Sequence, residues 1–202
     1  GVWTALITPM TPDGVDYESL GRLIESQVAG GVSGVVAVGT TGECPTLDAK
    51  EHLDVIKYAI KVADGRIPGF AVTGSNCTRE AVELTVEADK AGADGFLVVA
   101  PYYNKPSQEG LFLHMSELAK HTAKPIMLYS IPGRCGIEIS NDTVLRLRAA
   151  YDNFRVLKEA GGKVEKVADL FAKADGKVDI LSGDDGLTTE FIKAGAKGVV
   201  SV

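Results

Sequence analysis

Eight apolar runs rich in β-branched and aromatic residues alternate with amphipathic segments, and this alternation limits the possible folds more than any other feature of the sequence. The runs begin near Trp3, Val35, Ile67, Phe96, Pro125, Phe154, Val178 and Gly198. Within each run the apolar residues are consecutive and do not alternate with polar ones, which is typical of strands covered on both faces in a parallel sheet. We therefore expect eight buried parallel strands.

Seven segments between the runs place apolar residues on one face of a helix. They cover residues 17–29, 47–63, 78–91, 107–121, 140–149, 164–174 and 187–194. A phrase with two glycines recurs as GVSGV, GADGF and GAKGV, and each copy ends a helix and begins a strand. Repeated β-α-β units with eight strands predict a (β/α)8 barrel, also called a TIM barrel. The alternative is a doubly wound open sheet, but no GxGxxG phrase follows the first strand.

We predict one barrel domain over residues 1–202. Barrels of this kind usually need ~250 residues. The sequence reaches Val202 in or just after the eighth predicted strand, and no eighth helix follows that strand. We therefore expect a barrel that is truncated at or just after its eighth strand and that leaves apolar surface uncovered there.

The charge distribution argues against a protein that binds nucleic acid or a membrane surface. The chain has 27 Asp and Glu residues against 21 Lys and Arg residues, and the basic residues form no run. A small-molecule partner is therefore expected. The three cysteines form no CxxC pair, and no apolar run approaches the ~20 residues of a membrane span, so the sequence favours a reducing, cytoplasmic location.

Polar residues collect at the carboxyl ends of the predicted strands, where this type of barrel places its reactive groups. One of them, Lys158, lies in the largely apolar stretch 155-RVLKEAGG-162. Burial of an unpaired ammonium is costly, and desolvation favours the neutral amine, which can attack a carbonyl to form an imine. The alternative is a lysine whose ammonium reaches solvent or pairs with Glu159 or another acid.

The GTTGE phrase at 39–43 follows the second predicted strand, and its glycines allow a tight turn. The amides of Thr40 and Thr41 could then bind a small carboxylate and leave a hydroxyl for proton transfer. A capped turn that leads into the helix near Leu47 is the alternative. Glu43 is expected to be structural.

Three other strand ends carry tyrosines or an arginine. Tyr102 and Tyr103 are adjacent, so at most one of them should point into the pocket of its own chain. Tyr129 would need hydroxyl partners such as Thr41 to transfer protons, because the ordinary pKa of a phenol is high. Arg134 is expected in a loop over the barrel mouth, where its guanidinium could bind a second carboxylate. Packing or solvation is the alternative for each of these side chains.

No metal site is predicted. Asp184 and Asp185 are adjacent acids, but no clustered His or Cys ligands accompany them. The three histidines, His52, His114 and His121, fall on predicted helices, where core or surface positions are expected.

Five motifs in this order, GTTGE, PYYNKPSQEG, YSIPGRCG, LKEA and SGDD, resemble those of the dihydrodipicolinate synthase (4-hydroxy-tetrahydrodipicolinate synthase) family. That family belongs to the pyruvate-dependent class I aldolases, which also include N-acetylneuraminate lyase. The resemblance covers essentially all 202 residues. It implies a lyase of the diaminopimelate route to lysine that condenses pyruvate with L-aspartate 4-semialdehyde and needs no cofactor beyond the imine on its lysine.

The resemblance also implies the catalytic residues. Lys158 would form an imine with pyruvate, the imine would lose a methyl proton, and the resulting enamine would add to the aldehyde. Thr41 and Tyr129 match the proton relay of the family. Tyr103 completes that relay and would come from the neighbouring subunit.

The substrate-binding residues and the assembly are implied in the same way. Thr40 and Thr41 match the pyruvate carboxylate site, and Arg134 matches the site for the semialdehyde carboxylate. Gly183 and Val200 would line the surroundings of the lysine. Family members assemble as homodimers or homotetramers and continue into a C-terminal helical segment, which is absent from this sequence.

Some members of the family are inhibited by lysine at a subunit interface. The matching positions are Asn76, Glu80, Tyr102 and His52. Ala49 stands where sensitive bacterial enzymes tend to carry His, so weak or absent inhibition by lysine is expected.

Two residues depart from the YNxPxRT phrase of the family, since Ser130 and Cys135 replace its Asn and Thr. Neither carries the implied chemistry, so the departure bears on substrate positioning. GTTGE and the retained Arg134 favour the synthase over N-acetylneuraminate lyase. The remaining alternatives are an N-acetylneuraminate or 2-keto-3-deoxy sugar acid aldolase, and a catalytically silent barrel that senses pyruvate or an amino acid.

Overall fold

The computed structural model describes residues 1–202 as ten strands and eight α-helices. The strands are β1 (Val2–Ala5), β2 (Met10–Thr11), β3 (Gly14–Val15), β4 (Gly34–Ala37), β5 (Gly69–Val72), β6 (Gly95–Val99), β7 (Ile126–Ser130), β8 (Phe154–Glu159), β9 (Asp179–Ser182) and β10 (Gly198–Ser201). The helices are α1 (Tyr17–Ala29), α2 (Ala49–Ala63), α3 (Thr78–Lys90), α4 (Gln108–Ala119), α5 (Pro132–Cys135), α6 (Asn141–Ala150), α7 (Val164–Ala174) and α8 (Thr188–Lys193).

Eight of the strands form one closed parallel barrel in the order β1-β10-β9-β8-β7-β6-β5-β4. β1 pairs with both β4 and β10, so the barrel has no free edge. This closure confirms the predicted (β/α)8 fold and all eight predicted strands. The open-sheet alternative is wrong.

Apolar side chains fill two layers on opposite sides of the barrel wall. The inner layer consists of Ala5, Val36, Phe70, Val72, Leu97, Met127, Tyr129, Leu181 and Val200. A larger cluster of 37 buried residues includes the alternate strand positions and the inner faces of the helices. Because successive strand side chains point to opposite faces, the continuous apolar runs of the sequence supply both layers.

Side-chain caps decide where several helices begin. Asp48 accepts a hydrogen bond from the Glu51 amide, and Glu51 accepts one from the Asp48 amide. This capping box starts α2 at Ala49, two residues after the predicted start. Ser107 and Ser140 cap α4 and α6 more simply, since each hydroxyl accepts a hydrogen bond from one backbone amide, of Gly110 and of Thr143. The predicted bounds of α1 and α7 agree with the structure.

Some short elements carry no periodicity and were not expected. The β2–β3 pair is a small antiparallel hairpin outside the barrel, and 3₁₀ turns occupy Cys44–Thr46 and Asp185–Leu187. Helix α5 is a single turn where the sequence predicts a loop, because Pro132 stands at its first position and pre-sets the helical φ angle. No helix has both the length and the apolar composition needed to cross a membrane.

Candidate active site

A cavity of about 1060 Å³ opens at the carboxyl ends of the barrel strands. Its lining includes residues that follow strands far apart in sequence, among them Thr41 after β4, Arg134 after β7 and Asp185 after β9. Barrel closure therefore brings together polar residues that the sequence places at separate strand ends, as predicted for this fold.

Lys158 lies in β8 and points into the barrel. Its side chain lines the cavity, the residue is only 7% exposed, and Nζ lies 4.3 Å from the centroid of the Tyr129 ring. Burial lowers the pKa of Lys158 to about 8, although the negative charge of Asp185 acts in the opposite direction. A substantial fraction of this amine is therefore neutral and nucleophilic near neutral pH.

Glu159, the next residue of β8, faces the opposite side of the barrel wall. Its carboxylate Oε2 lies 2.8 Å from Lys166 Nζ of α7, and its Oε1 accepts a hydrogen bond of 2.6 Å from the Gly161 amide. Glu159 is 1% exposed. The alternative in which Glu159 pairs with Lys158 is therefore wrong, because strand alternation sends the two charges to different layers.

The GTTGE turn lies at the cavity and leaves two backbone amides without partners in the chain. Neither the Thr40 amide nor the Thr41 amide donates a hydrogen bond within the chain, and both residues line the cavity. The turn is bounded by two non-glycine residues with positive φ, Val38 at 61° and Glu43 at 56°. Such a conformation is rare for a β-branched residue, and strained backbone of this kind concentrates at ligand-binding sites. The free amides favour the carboxylate-binding interpretation over the simple capped turn.

Tyr129 and Thr41 both line the cavity, so the structure brings together two members of the predicted relay. Tyr129 is 6% exposed, and burial raises the pKa of its phenol to about 12. The phenol therefore stays protonated at neutral pH and can donate its proton to a developing negative charge. Neither hydroxyl forms a hydrogen bond to another group of the chain.

Tyr102 and Tyr103 differ in their surroundings, and only one of them reaches the cavity of its own chain, as predicted. Tyr102 lines the cavity and is 41% exposed, whereas Tyr103 is 89% exposed and lies outside the cavity lining. Tyr103 also has a positive φ of 73°. Within this chain, Tyr103 does not contribute to the cavity that contains Lys158.

The remaining predicted substrate-binding residues all line the cavity. Arg134 lies on α5 rather than in a loop, is exposed and forms no ion pair. Val200 of β10 is 2% exposed. A Cβ atom at Gly183 would lie 2.9 Å from Lys158 Cε and 3.0 Å from Ala160 Cβ. Gly183 therefore leaves the space that the Lys158 side chain occupies.

Three of the four predicted effector residues border the same cavity. His52, Glu80 and Tyr102 are part of its lining, and the Asn76 side chain donates a hydrogen bond of 3.2 Å to the Tyr102 carbonyl. Burial lowers the pKa of His52, and its Nε2 lies 2.8 Å from the Val72 carbonyl oxygen. A neutral His52 therefore donates to that carbonyl and fixes α2 against β5.

The other two histidines occupy packing and surface positions, in agreement with the prediction. His114 is 7% exposed on α4, and its Nδ1 lies 2.8 Å from the Thr78 hydroxyl. His121 follows the end of α4 and faces Glu117 at 3.5 Å.

Among the charged and thiol-bearing side chains that line the cavity, three were not assigned a catalytic or binding role from the sequence. Cys44 and Cys135 line the cavity, but a cysteine without a spacing pattern carries no signal. Asp185 also lines the cavity. Its position in SGDD, at the end of a predicted strand, was the feature of the sequence that could have indicated this. Its neighbour Asp184 is not part of the lining.

The comparisons with known proteins agree along the whole chain. The profile of the dihydrodipicolinate synthetase family matches residues 1–202. The 4-hydroxy-tetrahydrodipicolinate synthase of Leptospira biflexa is 47% identical over 202 residues, which cover 100% of this chain and 68% of that protein.

Solved structures give the same result. The 4-hydroxy-tetrahydrodipicolinate synthase of Methylacidiphilum fumariolicum SolV is 50% identical with a TM-score of 0.98, covering 100% of this chain and 67% of that one. The dihydrodipicolinate synthase of Acinetobacter baumannii, solved in complex with pyruvate, is 47% identical with a TM-score of 0.96, covering 100% and 69%. The chain belongs to the dihydrodipicolinate synthetase family.

Proposed function

We propose that the chain condenses pyruvate with L-aspartate 4-semialdehyde to 4-hydroxy-tetrahydrodipicolinate, in the diaminopimelate route to lysine, through an imine on Lys158. The observation that carries the proposal is the buried amine of Lys158, whose pKa is lowered to about 8 inside a cavity lined with hydroxyls. Membership of the family and the names of the relatives support the choice of reaction.

The reaction can be written with the groups that line the cavity. The Lys158 amine attacks the ketone carbon of pyruvate, and loss of water gives the imine. Loss of a methyl proton converts the imine into an enamine, whose carbon forms the new bond to the aldehyde carbon while the aldehyde oxygen takes up a proton. The amino group of the second substrate then attacks the imine carbon, closes the ring and releases Lys158. No redox step occurs, so no cofactor is required.

Tyr129 and Thr41 are suited to the proton transfers. The high pKa of the Tyr129 phenol makes it a donor at neutral pH. Thr41 can accept and donate through its hydroxyl and so connect Tyr129 to the substrate. We assign the two residues to the relay because both line the cavity around Lys158.

Two separate groups of hydrogen-bond donors would hold the carboxylates of the substrates. The free amides of Thr40 and Thr41 offer two donors to the pyruvate carboxylate. The unpaired guanidinium of Arg134 offers a bidentate contact to the semialdehyde carboxylate. The complex of the Acinetobacter baumannii relative with pyruvate supports pyruvate as the first substrate.

The full site would need a second copy of the chain. Tyr103 is 89% exposed and lies outside the cavity of its own chain. In a homodimer or homotetramer Tyr103 would complete the proton relay of the partner's site. Tyr103 is held in a rare backbone conformation, and such conformations concentrate at functional contacts. This supports a contact of Tyr103 with the partner's site.

Trapping the imine tests the proposal. The protein is incubated with pyruvate and borohydride and then analysed by peptide mass spectrometry. A reduced pyruvate adduct on the peptide that contains Lys158 is expected, and Lys158→Arg should abolish it. An unmodified Lys158 in folded protein would instead favour a barrel that only binds pyruvate. A coupled assay with each aldehyde separately distinguishes L-aspartate 4-semialdehyde from sugar-derived aldehydes.

We also expect weak or absent inhibition by lysine. The candidate effector residues border the cavity, but Ala49 supplies neither charge nor a hydrogen bond at the edge of that group. The measurement is the initial rate at increasing lysine concentration. Half-inhibition below about 1 mM would contradict the expectation, since such an affinity corresponds to more than about 4 kcal/mol of binding free energy.

A further inference from the structure

The charged side chains that line the cavity differ in the groups that they contact within the chain. Two cations, Lys158 and Arg134, and two carboxylates, Glu80 and Asp185, belong to the lining. The Glu80 carboxylate accepts a hydrogen bond from the hydroxyl of Ser75. Asp185, the other carboxylate of the lining, forms no ion pair within the chain and acts on Lys158 through its charge.

The two adjacent aspartates of the SGDD motif have different environments. Asp184 Oδ1 accepts a hydrogen bond of 3.0 Å from the Gly186 amide and so starts the 3₁₀ turn. Asp185 forms no ion pair, and its only hydrogen bond is a long one of 3.4 Å from the Val202 amide. Asp184 is therefore used by the local fold, whereas the Asp185 carboxylate remains available to a ligand in the cavity.

The barrel places Asp185 and Arg134 on either side of Lys158. β8, which carries Lys158, pairs with β7 on one side and with β9 on the other. Arg134 follows β7, and Asp185 follows β9. A molecule bound above Lys158 can therefore meet a cation on one side and an anion on the other.

The charge on Lys158 changes during the proposed reaction. In the free protein the Asp185 carboxylate favours the protonated form of Lys158. Once pyruvate has converted Lys158 into a neutral enamine, that ammonium no longer exists. Asp185 then lacks the Lys158 ammonium when the second substrate binds, and the other cation of the lining, Arg134, follows the strand on the opposite side of β8.

We propose that Asp185 binds the α-ammonium group of the aldehyde substrate and is a specificity-determining residue. Arg134 and Asp185 together would recognise the carboxylate and the ammonium of an α-amino acid, and this two-point contact would select an amino-acid aldehyde over an aldehyde without nitrogen. The inference rests on the proposed function, because it concerns the second substrate of that reaction.

Steady-state kinetics of Asp185→Asn test the proposal. L-aspartate 4-semialdehyde is the substrate. The comparison molecule is 4-oxobutanoate, which has the same aldehyde and carboxylate but no amino group, so it cannot close the ring and its adduct on Lys158 is measured by mass spectrometry in a single turnover. Because Asp185→Asn removes a charge-assisted hydrogen bond to the substrate ammonium, the kcat/KM for the amino-acid aldehyde should fall about tenfold or more. The single-turnover rate of adduct formation with 4-oxobutanoate and the KM for pyruvate should stay unchanged.

Asp184→Asn is the matched control, since it removes the same charge from the neighbouring position outside the cavity. It should preserve the preference for the amino-acid aldehyde. Titration calorimetry in the presence of pyruvate gives a second readout that needs no turnover. L-homoserine should bind more tightly than 4-hydroxybutanoate, and Asp185→Asn should remove the difference.

The outcomes separate the two proposals. If borohydride trapped no pyruvate adduct on Lys158 of the unsubstituted protein, both the proposed function and the role of Asp185 would be overturned. Normal trapping, together with an Asp185→Asn variant that keeps the full preference for the ammonium-bearing molecules, would overturn the role of Asp185 alone.

Discussion

Two consecutive residues of β8 show how the surroundings of a side chain decide its chemistry. Lys158 is buried inside the barrel without an ion-pair partner, and burial outweighs the attraction of Asp185. Glu159 is buried outside the barrel, and the cation of Lys166 lies 2.8 Å away. Because the charge of Lys158 has no ion-pair partner, its amine is more readily neutral and nucleophilic. Because the charge of Glu159 is paired with Lys166, its carboxylate makes a structural contact.

The lowered pKa of Lys158 predicts a specific pH dependence of imine formation. Only the neutral amine attacks pyruvate, so the rate at low pyruvate concentration should increase with pH until Lys158 is deprotonated. The rate should therefore level off above the pKa of about 8. Borohydride quenching at timed intervals, between pH 6 and pH 10, measures the rate of imine formation. A rate that keeps increasing about tenfold per pH unit up to pH 10 would indicate a lysine with its ordinary pKa.

Gly183 predicts a steric effect on the same amine. A methyl group at this position would lie 2.9 Å from Lys158 Cε, so Gly183→Ala should displace the side chain. A displacement on the order of 1 Å can reduce kcat/KM about 100-fold. Gly133→Ala is the control, because a Cβ there meets no heavy atom within 4 Å. Equal activity of both variants in the coupled assay would show that the contact near Lys158 is unimportant.

The strands and the long helices could be predicted from the sequence because each one buries a large apolar surface. The direction of Lys158 could not be read from periodicity, since buried residues lie on both faces of β8 and apolar and polar residues do not alternate along FRVLKE. Its chemistry had to be inferred from the cost of a buried charge. Helix α5 was missed because four residues are too few for a periodic pattern.

The contact between β8 and α7 predicts an effect on stability. Glu159 is 1% exposed and the side chain of Lys166 is 10% exposed, so Lys166→Met would leave a buried carboxylate without its cation. The free energy of unfolding should fall by about 3 kcal/mol, and the double variant Glu159→Gln/Lys166→Met should recover most of that loss. Urea denaturation measures all three proteins.

An exposed pair supplies the control for this experiment. Lys50 and Asp54 lie 2.7 Å apart on α2, but the Lys50 side chain is 85% exposed. Lys50→Met should therefore leave the urea midpoint nearly unchanged, because a solvated ion pair contributes little. If Lys166→Met changed the midpoint as little as Lys50→Met does, the buried pair would not stabilise the packing of α7 on β8.

Closure of the barrel creates relationships that no single segment of the sequence contains. Gly183 approaches Lys158, and Val200 lines the same cavity, because β8, β9 and β10 follow one another in the sheet. The sequence could place each residue at a strand end, but only the order and register of the strands decide which ends face each other. Tyr103 lies outside the cavity of its own chain, so a role for it at the active site would need a second copy of the chain.

If Tyr103 serves the site of a partner copy, two inactive variants should complement each other. Tyr103→Phe and Lys158→Ala should each have little activity alone. A purified hetero-oligomer with one chain of each type would contain sites that combine an intact Lys158 with an intact Tyr103 from the other chain, and about half of the activity should return. The reciprocal control joins an unsubstituted chain to a chain that carries both substitutions. Tyr103 acting across the interface leaves that control nearly inactive, whereas Tyr103 acting within its own chain gives half activity in the control and none in the first mixture.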